Sequence, residues 1–181
     1  AIAIESKNVI SNARSTVGTQ TELNDFLRLL FARIGQTFCR SCSQIVRRES
    51  PAEAVKDIEK RFAGKTVLIA FDIPLDVRAR KYLKEALSEL SKQGFTRLYM
   101  DGKIKETGEL RASSLRKETK ITVVADRISI NPESRARLVD SVESAYRHGR
   151  GQVRVISPGI AEQRYSEHFH CSRCDLPYQE P

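Results

Sequence analysis

The chain of 181 residues is 40% apolar and 30% charged, a globular balance that excludes a disordered tail and suits one ordinary domain with an attached piece. Lys and Arg number 31 against 23 Asp and Glu, and most of the net charge of +8 falls between residues 51 and 164, which points to an acidic protein surface or nucleic acid as partner without choosing between them. No apolar run approaches the roughly 18 residues of a membrane span, and Ala1 to Ile4 is too short for an export signal, so the chain reads as cytoplasmic with no membrane partner.

Residues 1–38 open with a short apolar run and a polar loop that reads as part of something larger. Thr19 with Glu22 forms a capping-box pattern, and Leu23, Phe26, Leu27, Leu30, Phe31 and Ile34 recur at helical spacing until Gly35, the pattern of a helix with a core face. Residues 39–50 begin with the hook Cys39-Arg40-Ser41-Cys42. Its counterpart, Cys171-Ser172-Arg173-Cys174, lies in residues 165–181, and the two hooks hold all four cysteines. A Cys-x-x-Cys turn aims two thiolates at one spot, and two such turns complete a tetrahedral Zn²⁺ site. The alternatives are that each hook is half of a separate site, or that these are small buried thiols. His168 and His170 are substitute ligands that four sulfurs make unnecessary. Two hooks without an export signal favour metal over disulfides.

Between the hooks, Ser50-Pro51-Ala52-Glu53 starts a helix with the core stripe Val55, Ile58 and Phe62 that ends near Gly64. Thr66 to Phe71 is apolar without alternation, a strand buried on both faces and stopped by Asp72 and Pro74. Gly64-Lys65-Thr66 superficially resembles the end of a phosphate-binding loop, but it leads into a strand and lacks the earlier glycine, so that reading is rejected. A second helix runs from about Val77 to Lys92 with Tyr82, Leu83, Ala86, Leu87 and Leu90 on one face and Arg78, Arg80, Lys81 and Lys84 on a basic one. Phe95 to Met100 alternates as a strand, Asp101-Gly102 signals a hairpin turn, and Lys103 to Lys105 begins the return. Residues 106–118 read as a loop. Lys120 to Ile128, rich in β-branched residues, reads as a central strand. Asn131-Pro132 starts a third helix to His148, Gln152 to Ser157 is a short strand, and Arg164 to Phe169 is a further candidate. The fold class is therefore α+β, a mixed sheet with about three helices on one face over residues 51–164.

Glu5-Ser6-Lys7-Asn8, Ala13 to Thr19, Phe26 to Gly35, Lys92 to Arg97 and Val123 to Arg127 resemble the UvrA family, the damage-recognising ABC-type ATPase subunits of bacterial nucleotide excision repair. The resemblance runs along the whole chain and is most specific from Arg14 to Gly35. It implies that residues 1–38 are a partial ATPase segment, and that residues 51–164 dock the UvrB helicase subunit on a zinc-binding base. It also implies that ATP and DNA are handled by a longer, homodimeric parent, with the phosphate-binding loop upstream and the signature sequence downstream. Ser6 departs from the family's glutamine, which contacts nucleotide. Some members carry histidine where Cys42 stands, and the family's second hook is followed by another cysteine pair, to which Cys171 and Cys174 would be the alternative partners.

Arg97 and Arg127 match the family's partner-contacting arginines. By strand alternation Phe95, Arg97 and Tyr99 share one face, which is either a binding surface or core with Arg97 paired internally to a carboxylate such as Asp126. Two functions follow: a protein-interaction module presenting arginines to an acidic partner, or a nucleic-acid-binding module using Arg78, Arg80, Lys81 and Lys84 on phosphates. The plain alternative for those four charges is a solvated helix face. An independent enzyme is not expected, because no nucleophile, base and orienting group assemble around His148, His168 or His170.

Overall fold

The first helix between the hooks, and the 3₁₀ turn that feeds the last, start where side chains satisfy the first free amides. In the computed structural model, which describes residues 23–75, 82–109 and 118–179, the Ser50 hydroxyl accepts from the Glu53 amide at 3.4 Å and the Glu53 carboxylate accepts from the Ser50 amide at 2.8 Å. This capping box, with Pro51 in the first position, opens a helix over Pro51–Arg61. Asn131 caps a short 3₁₀ turn, Pro132–Ser134, that feeds the helix Arg135–His148. The helix between them is described over Leu83–Lys92, where Leu83, Leu87 and Leu90 are buried but Ala86 and the preceding Tyr82 are exposed, so its apolar face is narrower than expected.

The elements, numbered in chain order, are α1 (Leu23–Ile34), β1 (Thr37–Phe38), β2 (Ile45–Val46), α2 (Pro51–Arg61), β3 (Thr66–Pro74), α3 (Leu83–Lys92), β4 (Arg97–Met100), β5 (Lys103–Glu106), β6 (Lys120–Ser129), α4 (Arg135–His148), β7 (Gln152–Ser157), β8 (Ile160–Ser166), β9 (His170–Cys171) and β10 (Leu176–Pro177). A six-stranded sheet has the order β5-β4-β6-β3-β7-β8. The α+β class holds, and all five pairings are antiparallel where a mixed sheet was expected. The reason is topological. The crossover from β3 through α3 to β4 leaves a gap that β6 fills, and the crossover from β6 through α4 to β7 is split by β3. The result is a doubled split β-α-β arrangement in which no two parallel strands are neighbours.

The α2, α3 and α4 helices share one face of this sheet. Val55, Ile58 and Phe62 meet Val67, Ile69 and Phe71 of β3, Val123 and Ile128 of β6, and Leu138 and Val142 of α4 in the main core. The other face of β3 carries Leu68 and Ala70, which join Val124, Ile156 and the half-buried Tyr99 in a second apolar cluster. Two cores explain why Thr66 to Phe71 shows no polar alternation. Lys65 passes straight from the α2 end into β3, its carbonyl accepting from the Ile130 amide at 2.8 Å, in keeping with the rejection of a phosphate loop there. Asp101 and Gly102 both have positive φ, 52° and 74°, the two-residue turn that joins β4 to β5.

The α4 helix stops against the sheet at Gly149. A Cβ there would lie 2.2 Å from the Gln152 carbonyl oxygen and 2.7 Å from the Phe71 Cβ, and neither is a flexible chain end. Gly149→Ala should therefore cost about 2–3 kcal/mol, as overpacking of a rigid site does. Urea unfolding of the variant checks this.

Among the described residues, 23–37 belong to one unit and 38–179 to another. In the first, the Thr19 and Glu22 capping pattern lies outside the described residues. None of the α1 residues is buried, and Phe26, Phe31 and Ile34 are exposed by 65%, 65% and 70%, so the apolar face expected from the spacing is present on the helix but uncovered.

Candidate functional site: a cysteine clasp and the open face of the sheet

Each cysteine hook is the turn of a small hairpin. Cys39 to Cys42 joins β1 to β2, and Cys171 to Cys174 joins β9 to β10. The turns repeat one another: the Ser43 amide donates to the Cys39 carbonyl at 2.8 Å, the Asp175 amide donates to the Cys171 carbonyl at 2.9 Å, and Ser43 and Asp175 take the left-handed φ values 56° and 57°. A bridge between Arg47 and His170 sets the hairpins side by side. All four Sγ atoms lie within 4.8 Å of one another, with Cys42 Sγ and Cys171 Sγ 3.5 Å apart. Four thiolates about 2.3 Å from one Zn²⁺ would be about 3.8 Å apart, so the donor set and its spacing fit a tetrahedral ion. Neither His168 nor His170 belongs to this group. His170 Nε2 lies instead 3.1 Å from the Asp175 carboxylate.

Cys39 and Cys171 are buried, with Val46, Phe169 and Tyr178 packed around the cluster. The Tyr178 hydroxyl donates to Cys39 Sγ at 3.3 Å and accepts from the Arg40 amide at 2.9 Å. That bond is the main reason the Cys39 thiol is drawn down to about 6, while burial pushes the Cys171 thiol up. Tyr178 was missed in the sequence, where the only signal is a tyrosine four residues past the hook.

The clasp is strapped to the sheet through Asp175. Its carboxylate receives Arg164 of β8 at 3.2 Å and Lys120 of β6 at 3.5 Å. Lys120 also reaches Asp72 of β3 at 2.6 Å, and Arg154 of β7 bridges Asp72, Thr122 and Glu162. Burial by itself would raise the Asp72 and Glu162 carboxyls. Hydrogen bonds from Lys120 and Arg154 to the first, and from Arg154 and Arg164 to the second, outweigh it and hold both below the usual carboxylate range. The open face of the sheet is thus divided: its clasp end is closed by charge pairs, and its other end carries the second apolar cluster.

Arg97 and Arg127 lie at that other end. Arg127 sits opposite Leu68 in the β3–β6 register, and Arg97 is two residues before Tyr99 on β4, while the intervening Leu98 is in the main core. Both are exposed, and among the described residues neither joins an ion pair. Asp126 is no partner for Arg97, because its carboxylate turns to the helix side and is taken by Arg137 of α4 at 2.6 Å and by the Ser141 hydroxyl at 2.9 Å. Phe95 does not share the arginines' face. It precedes β4 and is buried in the main core against Phe71 and His148. Of the second-helix cations, Arg78, Arg80 and Lys81 lie outside the described residues, and the side chain of Lys84 does as well.

A groove of about 740 Å³ crosses this end of the face. It is lined by Leu68, Tyr99, Lys103, Ile104, Arg127 and the turn from Ile156 to Ile160. Among the described residues no helix is long and apolar enough to cross a membrane.

A family model described as the UvrA interaction domain matches residues 50–159. The UvrABC system protein A of Thermus thermophilus is 40% identical over 176 residues, covering 94% of this chain and 18% of that protein. The same-named protein of Deinococcus radiodurans is 36% identical over 180 residues, with 94% and 17% covered, and that of Methanothermobacter thermautotrophicus 40% over 177 residues, with 94% and 18%. The chain spans under a fifth of the length of these relatives. With the domain model covering more than half of the residues, and the relatives aligned to nearly all of them, the chain belongs to the UvrA family.

Proposed function

We propose that this chain is the partner-docking part of a damage-recognition subunit of nucleotide excision repair, and that it binds a UvrB-type helicase subunit through the open end of its sheet. The observation that carries the reading is the pair of exposed arginines, Arg97 and Arg127, left without ion pairs among the described residues on a face whose clasp-end charges are paired internally; Glu106, opposite Arg97 in the β4–β5 register, joins no ion pair among them either. A planar guanidinium in that setting suits a partner carboxylate, which it can grip with two parallel hydrogen bonds. The clasp serves as the base, with Cys39, Cys42, Cys171 and Cys174 holding a structural Zn²⁺ that supplies cross-linking in place of a core. The fragment performs no catalysis of its own in this reading, and ATP and DNA are handled by the full-length parent.

Isothermal titration of the chain with the UvrB-type subunit tests the reading. Arg97→Ala and Arg127→Ala should each weaken binding by about 2–4 kcal/mol, as desolvated interface arginines do, with unchanged urea unfolding. Unchanged affinity in both folded variants would remove these residues from the site. If the chain instead bound duplex DNA with a steep salt dependence and ignored the helicase subunit, the nucleic-acid reading would replace this one.

A further inference from the structure

The groove beside Arg127 is more than the space between two hairpins. Tyr99 and Ile104 are directly opposed across β4–β5, forming one apolar wall. The β7–β8 turn, Ser157-Pro158-Gly159-Ile160, forms the other, with Leu68 and Ile156 of the second cluster beneath. Ile104 is 38% exposed beside Tyr99, with Glu106 two residues further along the same face of β5. The rim is basic: Arg127 and Lys103 line it, Arg97 lies on the same face of β4, and the one acidic lining residue, Glu162, is already taken by Arg154 and Arg164. An apolar trough with Arg127 and Lys103 on its rim, neither in an ion pair among the described residues, is complementary to an apolar side chain flanked by carboxylates.

We infer that a short segment of the docked helicase subunit enters this groove, seating an apolar anchor against Tyr99, Ile104 and Ile156 while its flanking carboxylates meet Arg127 and Lys103. The inference rests on the docking reading above and adds the part of the site that holds on to the partner. The arginines orient the encounter and the trough limits dissociation, the division expected of a charged rim around an apolar centre. A volume of about 740 Å³ admits a segment of several side chains, as binding pockets of roughly 300–1,000 Å³ do.

The test titrates the whole chain with the UvrB-type subunit and compares Ile104→Asp with Arg127→Ala. Hydrogen exchange of the wild-type chain, with and without the subunit, supplies a second readout. Ile104 is exposed enough that its replacement should leave unfolding unchanged, which a parallel urea titration checks. Ile104→Asp is expected to weaken binding about tenfold or more, mostly through faster dissociation. Binding should also slow exchange at Ile104, Gly159 and Ile160. If Arg127→Ala weakens binding but Ile104→Asp changes it less than about twofold, with no protection at the β7–β8 turn, the groove is not the anchor and docking by the arginines stands. Loss of neither affinity, or no binding by the wild-type chain, overturns the docking reading and this inference with it.

Discussion

Cys171→Ser should release the metal from the clasp and loosen residues 37–47 and 169–178 while the six-stranded sheet stays folded. Each hairpin of the clasp has strands of two residues, and among the described residues the buried side chains at its centre are Cys39, Val46 and Cys171. Two-stranded hairpins of this size are not stable alone in water, so a zinc ion held by the four cysteines, worth on the order of 10 kcal/mol in a structural site, would supply nearly all of the clasp's folding free energy. The sheet has its own core from α2, α3 and α4 and does not depend on the ion. The strap at Asp175 should pass a small part of the loss to Lys120 and Arg164 at the near end of the sheet. Elemental analysis of the purified chain should find close to one zinc per molecule, and hydrogen exchange in Cys171→Ser should rise at the hooks well before it rises in β3 and β6. A wild-type chain without metal, its four thiols freely titratable, would sink the zinc reading. Retention of one ion by Cys39 and Cys42 in the variant would leave two separate half-sites instead of a shared clasp.

Signals confined to a few residues were legible in the sequence because the physics that sets them is local. Ser50 and Glu53 cap each other across three residues, Asn131 caps the turn before α4, and Asp101-Gly102 closes a two-residue hairpin, each readable from one short window. The two hooks were legible for the opposite reason: four cysteines are rare enough that chemistry pairs them over any distance, and the structure brings all four together. The strand expected over 164–169 instead occupies 160–166, because Pro158-Gly159 turns the chain back directly after β7. Strand alternation put Phe95 with Arg97 and Tyr99, and it failed because the chain turns before β4, with the Phe95 amide bonded to the Leu90 carbonyl. Alternation says which residues share a face, never which face meets the core. The charge pairs were illegible altogether. Asp72 and Arg154 are 82 residues apart, and only the order of strands in the sheet makes them neighbours.

That charge network sets the second large effect. Arg154→Ala should destabilise the chain by about 3–4 kcal/mol at neutral pH, because it strips the shared cation from two partly buried carboxylates. Arg154 holds Asp72, Thr122 and Glu162 at once, and its own side chain is only 14% exposed. Lys120 and Arg164 remain to cover part of the loss, which keeps the cost at the lower end for a broken buried network. The sign with pH follows from the carboxyls. Asp72 and Glu162 have folded values below their unfolded ones, so the stability they contribute is present above about pH 4 and is lost as pH falls through the folded values. Removing Arg154 lets both carboxyls rise toward the unfolded range. The gap between wild type and variant should therefore be widest near pH 7 and narrow steadily below about pH 4. Arg154→Lys, which keeps the charge but not the fork that spans three partners, should fall between the two. Urea unfolding of the three proteins at pH 7 and near pH 3.5 decides the matter: a gap that stayed constant across that range would mean that Arg154 acts through packing of its stem against the sheet, and that the carboxylates beside it are already satisfied by Lys120, Arg164 and Thr122.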